Sequence, residues 1–188
     1  KGAIPTILSE ALGVSFDQSV GHDYLDNSSE RFDFYNRKED KIPFDLDFFN
    51  KITKGGLPNK TLNVALAGTG VGKSLFMCHV AASVLLQGRN VLYITLEMAE
   101  EKIAERIDAN LLNIPIQKLS DLPKSMFQKK IASLGKKTQG KLIIKEYPTA
   151  SAHVGHFKSL IGDLALKRSI KPDIIFIDYL NICASQRY

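Results

Sequence analysis

One eight-residue run constrains this chain more than any other feature. Ala67 to Ser74 reads A-G-T-G-V-G-K-S. It stands between an apolar stretch with strand character, Thr61 to Ala67, and a helical pattern from about Lys73 to Gln87 that Gly88 closes. A glycine-rich loop joining a strand to a helix and ending in Gly-Lys-Ser is the pattern that wraps phosphate. Ala67 occupies the position where that pattern usually has its first glycine, and Gly68 and Gly70 supply uncrowded backbone beside it. Glycines let successive backbone N–H groups converge on phosphate oxygens, and the following helix directs its positive end at the same anion. The expected nucleotide-binding set is therefore Gly68, Thr69, Gly70, Val71, Gly72, Lys73, Ser74 and Leu75. In it Lys73 reaches the β- and γ-phosphates as a catalytic cation, and the Ser74 hydroxyl is a ligand for Mg²⁺.

The rest of the chain, from Ile42 on, alternates strands and helices. Phe44, Leu46, Phe48, Phe49 and Ile52 form an apolar cluster before a Gly55-Gly56-Leu57-Pro58 turn. After the loop and its helix come a strand at Val91 to Leu96, a helix at about Ala99 to Leu112, and a Lys-rich helix at about Lys124 to Leu134. A strand at Leu142 to Glu146, a helix at about Ala152 to Lys167 and a strand at Ile174 to Asp178 follow. Apolar strands alternating with helices predict an α/β fold, a mainly parallel sheet with helices on both faces. Within it, Phe76, Val80, Val84 and Leu85 form the core face of the helix after the loop.

Two strand-terminal acids are the catalytic candidates. Asp178 closes I-I-F-I-D, the form of a Walker B aspartate that holds Mg²⁺. Glu97 follows V-L-Y-I-T-L at the carboxyl edge of its strand, where α/β sheets place ligands, and suits a general base that polarises water. The competing reading makes Glu97 a first-turn acid of the next helix, a place Glu100 and Glu101 already fill.

Other features bound the answer. No run of eighteen apolar residues is present, so no spanning helix is expected. Cys78 and Cys183 lie far apart in apolar surroundings and read as buried thiols rather than zinc ligands. His153 and His156 are three apart on a helix, but no third ligand stands close, so no metal site is expected there. The net charge of +5 is uneven: the stretch from Val14 to Asp40 is acidic and the remainder basic, which favours phosphate-rich partners. The lysines between Lys118 and Lys145 could meet DNA phosphates, though most such runs are solvated faces.

Ahead of the α/β region, Ile4, Ile7, Leu8, Ala11 and Leu12 fall on one helix face, with Gly13 as a stop. A helix this short is marginal alone and needs a surface to lie on. The organisation expected is a linker helix at 1–13, a polar acidic linker or extended arm at 14–41, and an NTPase domain at 42–188. A start at Lys1 rather than methionine suggests a piece of something longer.

The run V-L-Y-I-T-L-E-M after the glycine-rich loop, followed by I-I-F-I-D-Y-L at Ile174 to Leu180, resembles the DnaB-family replicative helicases. The lead-in I-P-F-D-L-D-F-F-N-K-I-T-K-G-G-L-P from Ile42 extends the resemblance over essentially the whole chain. It implies a RecA-like motor domain working as a homo-hexameric ring. Such rings hydrolyse ATP or another NTP, GTP included, with Mg²⁺ between subunits and move 5′ to 3′ on single-stranded DNA. It maps the nucleotide loop onto Gly68 to Ser74, the catalytic glutamate onto Glu97 and the Walker B aspartate onto Asp178. It implies primase, a helicase loader and single-strand-binding protein as partners, with no membrane, in a cytoplasm that is the host's if the source is viral. The family's later sheet strands, DNA-binding loops and arginine finger follow the Walker B strand, so the chain is expected to be a fragment that does not unwind DNA by itself. Two alternatives are a RecA-type recombinase or other RecA-fold ATPase, and a non-hydrolysing nucleotide-dependent assembly module.

The resemblance also makes the Ile4-to-Leu12 helix one that docks on an adjacent subunit. Replacing Ile7 and Leu8 with Ser in the longer protein is then expected to lower oligomer size in sedimentation and leave thermal unfolding nearly unchanged. Docking on its own domain gives the reverse, a lower melting temperature with unaltered assembly.

Overall fold

The structure is a computed structural model and describes residues 23–185. The predicted helix at Ile4 to Leu12 lies outside the described residues. Residues 23–39 belong to a unit of their own, separate from the unit that begins at Asp40.

In the first unit, helix α1 spans Ser28–Asn36 with none of its residues buried. An irregular arm was expected here, because the segment lacks an apolar period. Local contacts hold the turn instead: Asp23 Oδ1 accepts from the backbone N–H groups of Leu25 and Asp26, and the Asn27 amide donates to Glu30. The Arg31 guanidinium sits 4.3 Å from the centre of the Tyr24 ring.

The second unit opens with strand β1 (Lys41–Ile42), helix α2 (Asp47–Thr53) and strand β2 (Leu57–Pro58), which pairs antiparallel with β1. Helix α3 (Lys73–Leu86) and strand β3 (Val91–Thr95) follow, then helices α4 (Glu100–Leu112) and α5 (Lys124–Lys137). Strand β4 (Leu142–Glu146), helix α6 (Val154–Arg168) and strand β5 (Ile174–Asp178) complete the regular elements. Single 3-10 turns lie at Ile116–Lys118 and Leu180–Ile182. No helix among the described residues is long and apolar enough to cross a membrane.

The main sheet has the order β4-β3-β5, all parallel, with Thr95 opposite Glu146 on one side and opposite Asp178 on the other. Because side chains alternate along a strand, β3 feeds two cores. Val91 and Tyr93 pack with Met77, Cys78, Val80, Ala81 and Val84 of α3 and with Ile103 and Ile107 of α4. Leu92, Ile94 and Leu96 face the other way, against Phe157 and Leu164 of α6 and Ile170. Helices therefore cover both faces, as the sequence pattern predicts. Only β3 is buried along its whole length; β4 and β5, at the sheet edges, are half-buried.

The predicted strand at Thr61 to Ala67 does not form. Residues 61–70 are exposed and pair with no strand, and Leu62 and Leu66 are 89% and 94% accessible. Their apolar alternation fits a strand, but a strand also needs a partner edge in register, and that is a non-local requirement which side-chain pattern does not encode.

Aromatic packing ties α2 to the base of α3: Phe49 lies 5.3 Å from Phe44 and 5.4 Å from Phe76, ring centre to ring centre. The turn before β2 closes against β1 at Gly56, which has φ of +122°. A Cβ there would overlap the Ile42 carbonyl and come within 2.7 Å of the Pro43 Cα. Gly56→Ala is expected to destabilise the domain by at least about 2 kcal/mol, read as a lower denaturant midpoint at unchanged slope.

Candidate functional site

The loop and helix that should hold phosphate come first. Gly70 and Gly72 have φ of +76° and +106°, so the backbone there requires glycine for its conformation; a Cβ at either would meet no neighbour within 4 Å. Gly72 is the N-cap of α3, with no side chain capping it and no acid in the first turn. The helix thus begins with its positive end uncompensated by side chains, the condition under which an exogenous anion is most favoured. Residues 68–71 are exposed, and Gly72, Lys73 and Ser74 are half-buried at the helix start. Leu75, the last residue of the expected set, is 52% accessible.

Lys73, in the first turn of α3, and Asp178, at the end of β5, are brought together. The lysine Nζ lies 3.2 Å from Asp178 Oδ1, with the aspartate side chain only 2% accessible. That contact is an ion pair without an aligned hydrogen bond, since Oδ1 has no hydrogen-bond partner. The other oxygen, Oδ2, accepts from the Tyr93 hydroxyl at 3.0 Å. Lys73 Nζ also sits 4.0 Å above the centre of the Tyr179 ring, where the negative face of the ring attracts it. The Asp178–Tyr179 peptide is cis.

A carboxylate taken out of water needs compensation for its lost hydration. Asp178 has one cation and one hydroxyl, and an oxygen left with open hydrogen-bonding capacity next to the lysine of the loop. A magnesium ion suits the open oxygen of Asp178, since hard oxygen ligands are what it takes, and Ser74 carries a hydroxyl in the first turn of α3.

Glu97 is exposed just past the carboxyl end of β3. Thr95 Oγ1 accepts from the Met98 N–H at 3.1 Å and donates to the Met98 carbonyl at 2.8 Å, closing a turn that contains Glu97. Helix α4 starts three residues later at Glu100, whose carboxylate accepts from the Glu146 N–H at 2.9 Å and lies 3.6 Å from Lys145 Nζ. Glu97 is outside the first turn of that helix, and the helix-start role falls to Glu100 and Glu101.

His153 and His156 have a structural task. His153 is the N-cap of α6 and its Nδ1 accepts from the Gly155 N–H at 3.0 Å, while His156 Nδ1 accepts from the His153 N–H at 3.2 Å. Among the described residues no group of three potential ligands could hold a metal ion.

Tyr93 and Tyr179 were not among the residues expected from sequence. The signal for Tyr93 is a lone hydroxyl in an otherwise apolar strand interior, V-L-Y-I, and a buried hydroxyl needs a partner. That for Tyr179 is only its place after the strand-terminal acid.

A family model described as the DnaB-like helicase C-terminal domain matches residues 42–188. The chain belongs to that family. It is 48% identical over 189 residues to the DnaB-like replicative helicase of Enterobacteria phage T4, an alignment covering 99% of this chain and 40% of that protein. A solved DnaB-like replicative helicase, described with its interactions with primase, superposes with a TM-score of 0.63 at 18% identity. It covers 98% of this chain and 45% of its own, and at that identity the likeness concerns the fold. The chain spans less than half the length of both. Membership in the DnaB family makes the domain RecA-like and sets aside the recombinase alternative.

Proposed function

We propose that this chain is the NTP-hydrolysing motor of a replicative DNA helicase that moves 5′ to 3′ along single-stranded DNA as a homo-hexameric ring. The observation that carries this reading is the convergence of Lys73, at an uncapped helix start, on a buried Asp178 with an open oxygen. Two elements far apart in sequence supply a phosphate-binding cation and a metal-holding carboxylate to one point.

In this reading the N–H groups of Gly68 to Ser74, those of Thr69 and Val71 included, cradle the β- and γ-phosphates, with Leu75 adding to the set from the first turn of α3. Lys73 exchanges its contact with Asp178 for phosphate oxygens. Ser74 and Asp178 would hold Mg²⁺, which would supply charge to neutralise the triphosphate. Glu97 accepts a proton from the attacking water, and its exposed place at the sheet's carboxyl edge leaves it free to meet that water. The nucleotide in this reading is ATP or another NTP, GTP included.

Single-stranded DNA and a primase are the partners this reading favours, the latter because a solved fold relative is described with primase. A helicase loader and a single-strand-binding protein follow from replicative work, and the setting is the cytoplasm of a phage host. The fragment itself is proposed to be inactive in unwinding.

Two variants of the full-length protein test the assignment. Lys73→Ala removes a charge-assisted phosphate contact of about 1.5–3 kcal/mol and is expected to abolish turnover; unchanged NTPase activity would sink the proposal. Glu97→Gln keeps the shape but loses the base. Nucleotide is expected to bind as before while hydrolysis falls by about 10²-fold or more, and normal hydrolysis would place the base elsewhere.

A further inference from the structure

Asp178 does not stand alone behind the candidate metal position. Its Oδ2 is taken up by Tyr93, which is completely buried in the middle of β3. The register explains the reach. Tyr93 lies directly across from Phe176 and stacks on it, with ring centres 5.6 Å apart and planes at 19°. Asp178 is two residues further along the same face of β5, about 6.6 Å on at the rise of a strand. Only a side chain as long as tyrosine, with a polar atom at its tip, spans that diagonal. Cys78 Sγ of α3 also approaches the hydroxyl, at 3.8 Å.

The two carboxylate oxygens therefore have separate duties. Oδ2 is fixed by a donor that cannot move without disturbing the core around β3, and Oδ1 is left facing Lys73 with its hydrogen-bonding capacity open. We infer that Tyr93 is a positioning residue of the NTPase site, holding the Asp178 carboxylate in the one rotation that presents Oδ1 to a divalent cation. The inference rests on the proposed metal role of Asp178. Without the hydroxyl the carboxylate can turn its plane, and hydrogen-bonded partners behind a metal ligand are commonly worth about 10- to 100-fold in affinity.

The test uses the full-length protein, with Mn²⁺ as the probe and the non-hydrolysable analogue AMP-PNP. Mn²⁺ affinity is read by electron paramagnetic resonance, alongside metal-free nucleotide affinity, kcat and melting temperature. Tyr93→Phe keeps the ring and its stack. It is expected to weaken Mn²⁺ binding by about 10-fold and lower kcat similarly, with metal-free nucleotide affinity unchanged. Unchanged Mn²⁺ affinity in Tyr93→Phe, whatever its melting temperature, overturns the inference and leaves the hydroxyl only a satisfied core group. Asp178→Asn runs in parallel. If it weakens Mn²⁺ and Tyr93→Phe does not, the positioning role alone fails; if Asp178→Asn also leaves Mn²⁺ affinity unchanged, the metal reading fails with it. Should Tyr93→Phe not fold, 3-fluorotyrosine at the same position strengthens the donor and must change Mn²⁺ affinity at least about twofold, an unchanged value again overturning the inference.

Discussion

A carboxylate with almost no access to water joins the parts of this domain. Asp178 ends β5, receives a hydrogen bond from the middle of β3 and faces the first turn of α3. The sheet ladder between β3 and β5 and the apolar packing of α3 set the spacing of these elements, but not the rotation of a single side chain. Charge burial is costly enough that its compensation must be geometrically definite. The demand for compensation therefore ties the buried phenol to the sheet end by a hydrogen bond and the helix start to it by an ion pair. The glycine-rich loop inherits its aim from that arrangement, because α3 carries the loop's lysine.

The parallel sheet and its two covered faces could be read from the chain directly. Val91 to Thr95, Leu142 to Glu146 and Ile174 to Asp178 are short apolar runs separated by amphipathic helices, and such runs have few other ways to bury themselves. The ends of α3 were legible because glycine and Lys-Ser punctuate them, and the start of α4 because acids cluster there. Family membership was legible in V-L-Y-I-T-L-E-M and I-I-F-I-D-Y-L, whose order and spacing few unrelated chains would share. The positions of Lys73 and Asp178 in the candidate site were readable as motif ends, but their 3.2 Å approach was not.

What was not legible depends on partners distant in sequence. The histidine pair at 153 and 156 gave a spacing that metals also use, and only the helix start shows both rings spent on backbone N–H groups. Tyr93 was not singled out in its strand, and only the cross-strand register sets its hydroxyl beside Asp178. Helix α1 forms in a stretch with no apolar stripe, held by short-range polar contacts that periodicity does not detect.

The exposed run from Thr61 to Ala67 has a physical consequence of its own. It is T-L-N-V-A-L-A, seven residues with no charge and no proline, flanked by Lys60 on one side and Gly68 on the other. Leu62, Val64 and Leu66 are all exposed to solvent in a stretch whose N–H and C=O groups have no ladder. Such a segment is a template for edge-to-edge association with another copy of itself, and one flanking lysine is a thin electrostatic guard against it. An exposed apolar run of this kind raises the tendency to associate at high protein concentration, and it is the same run that leads into the phosphate loop.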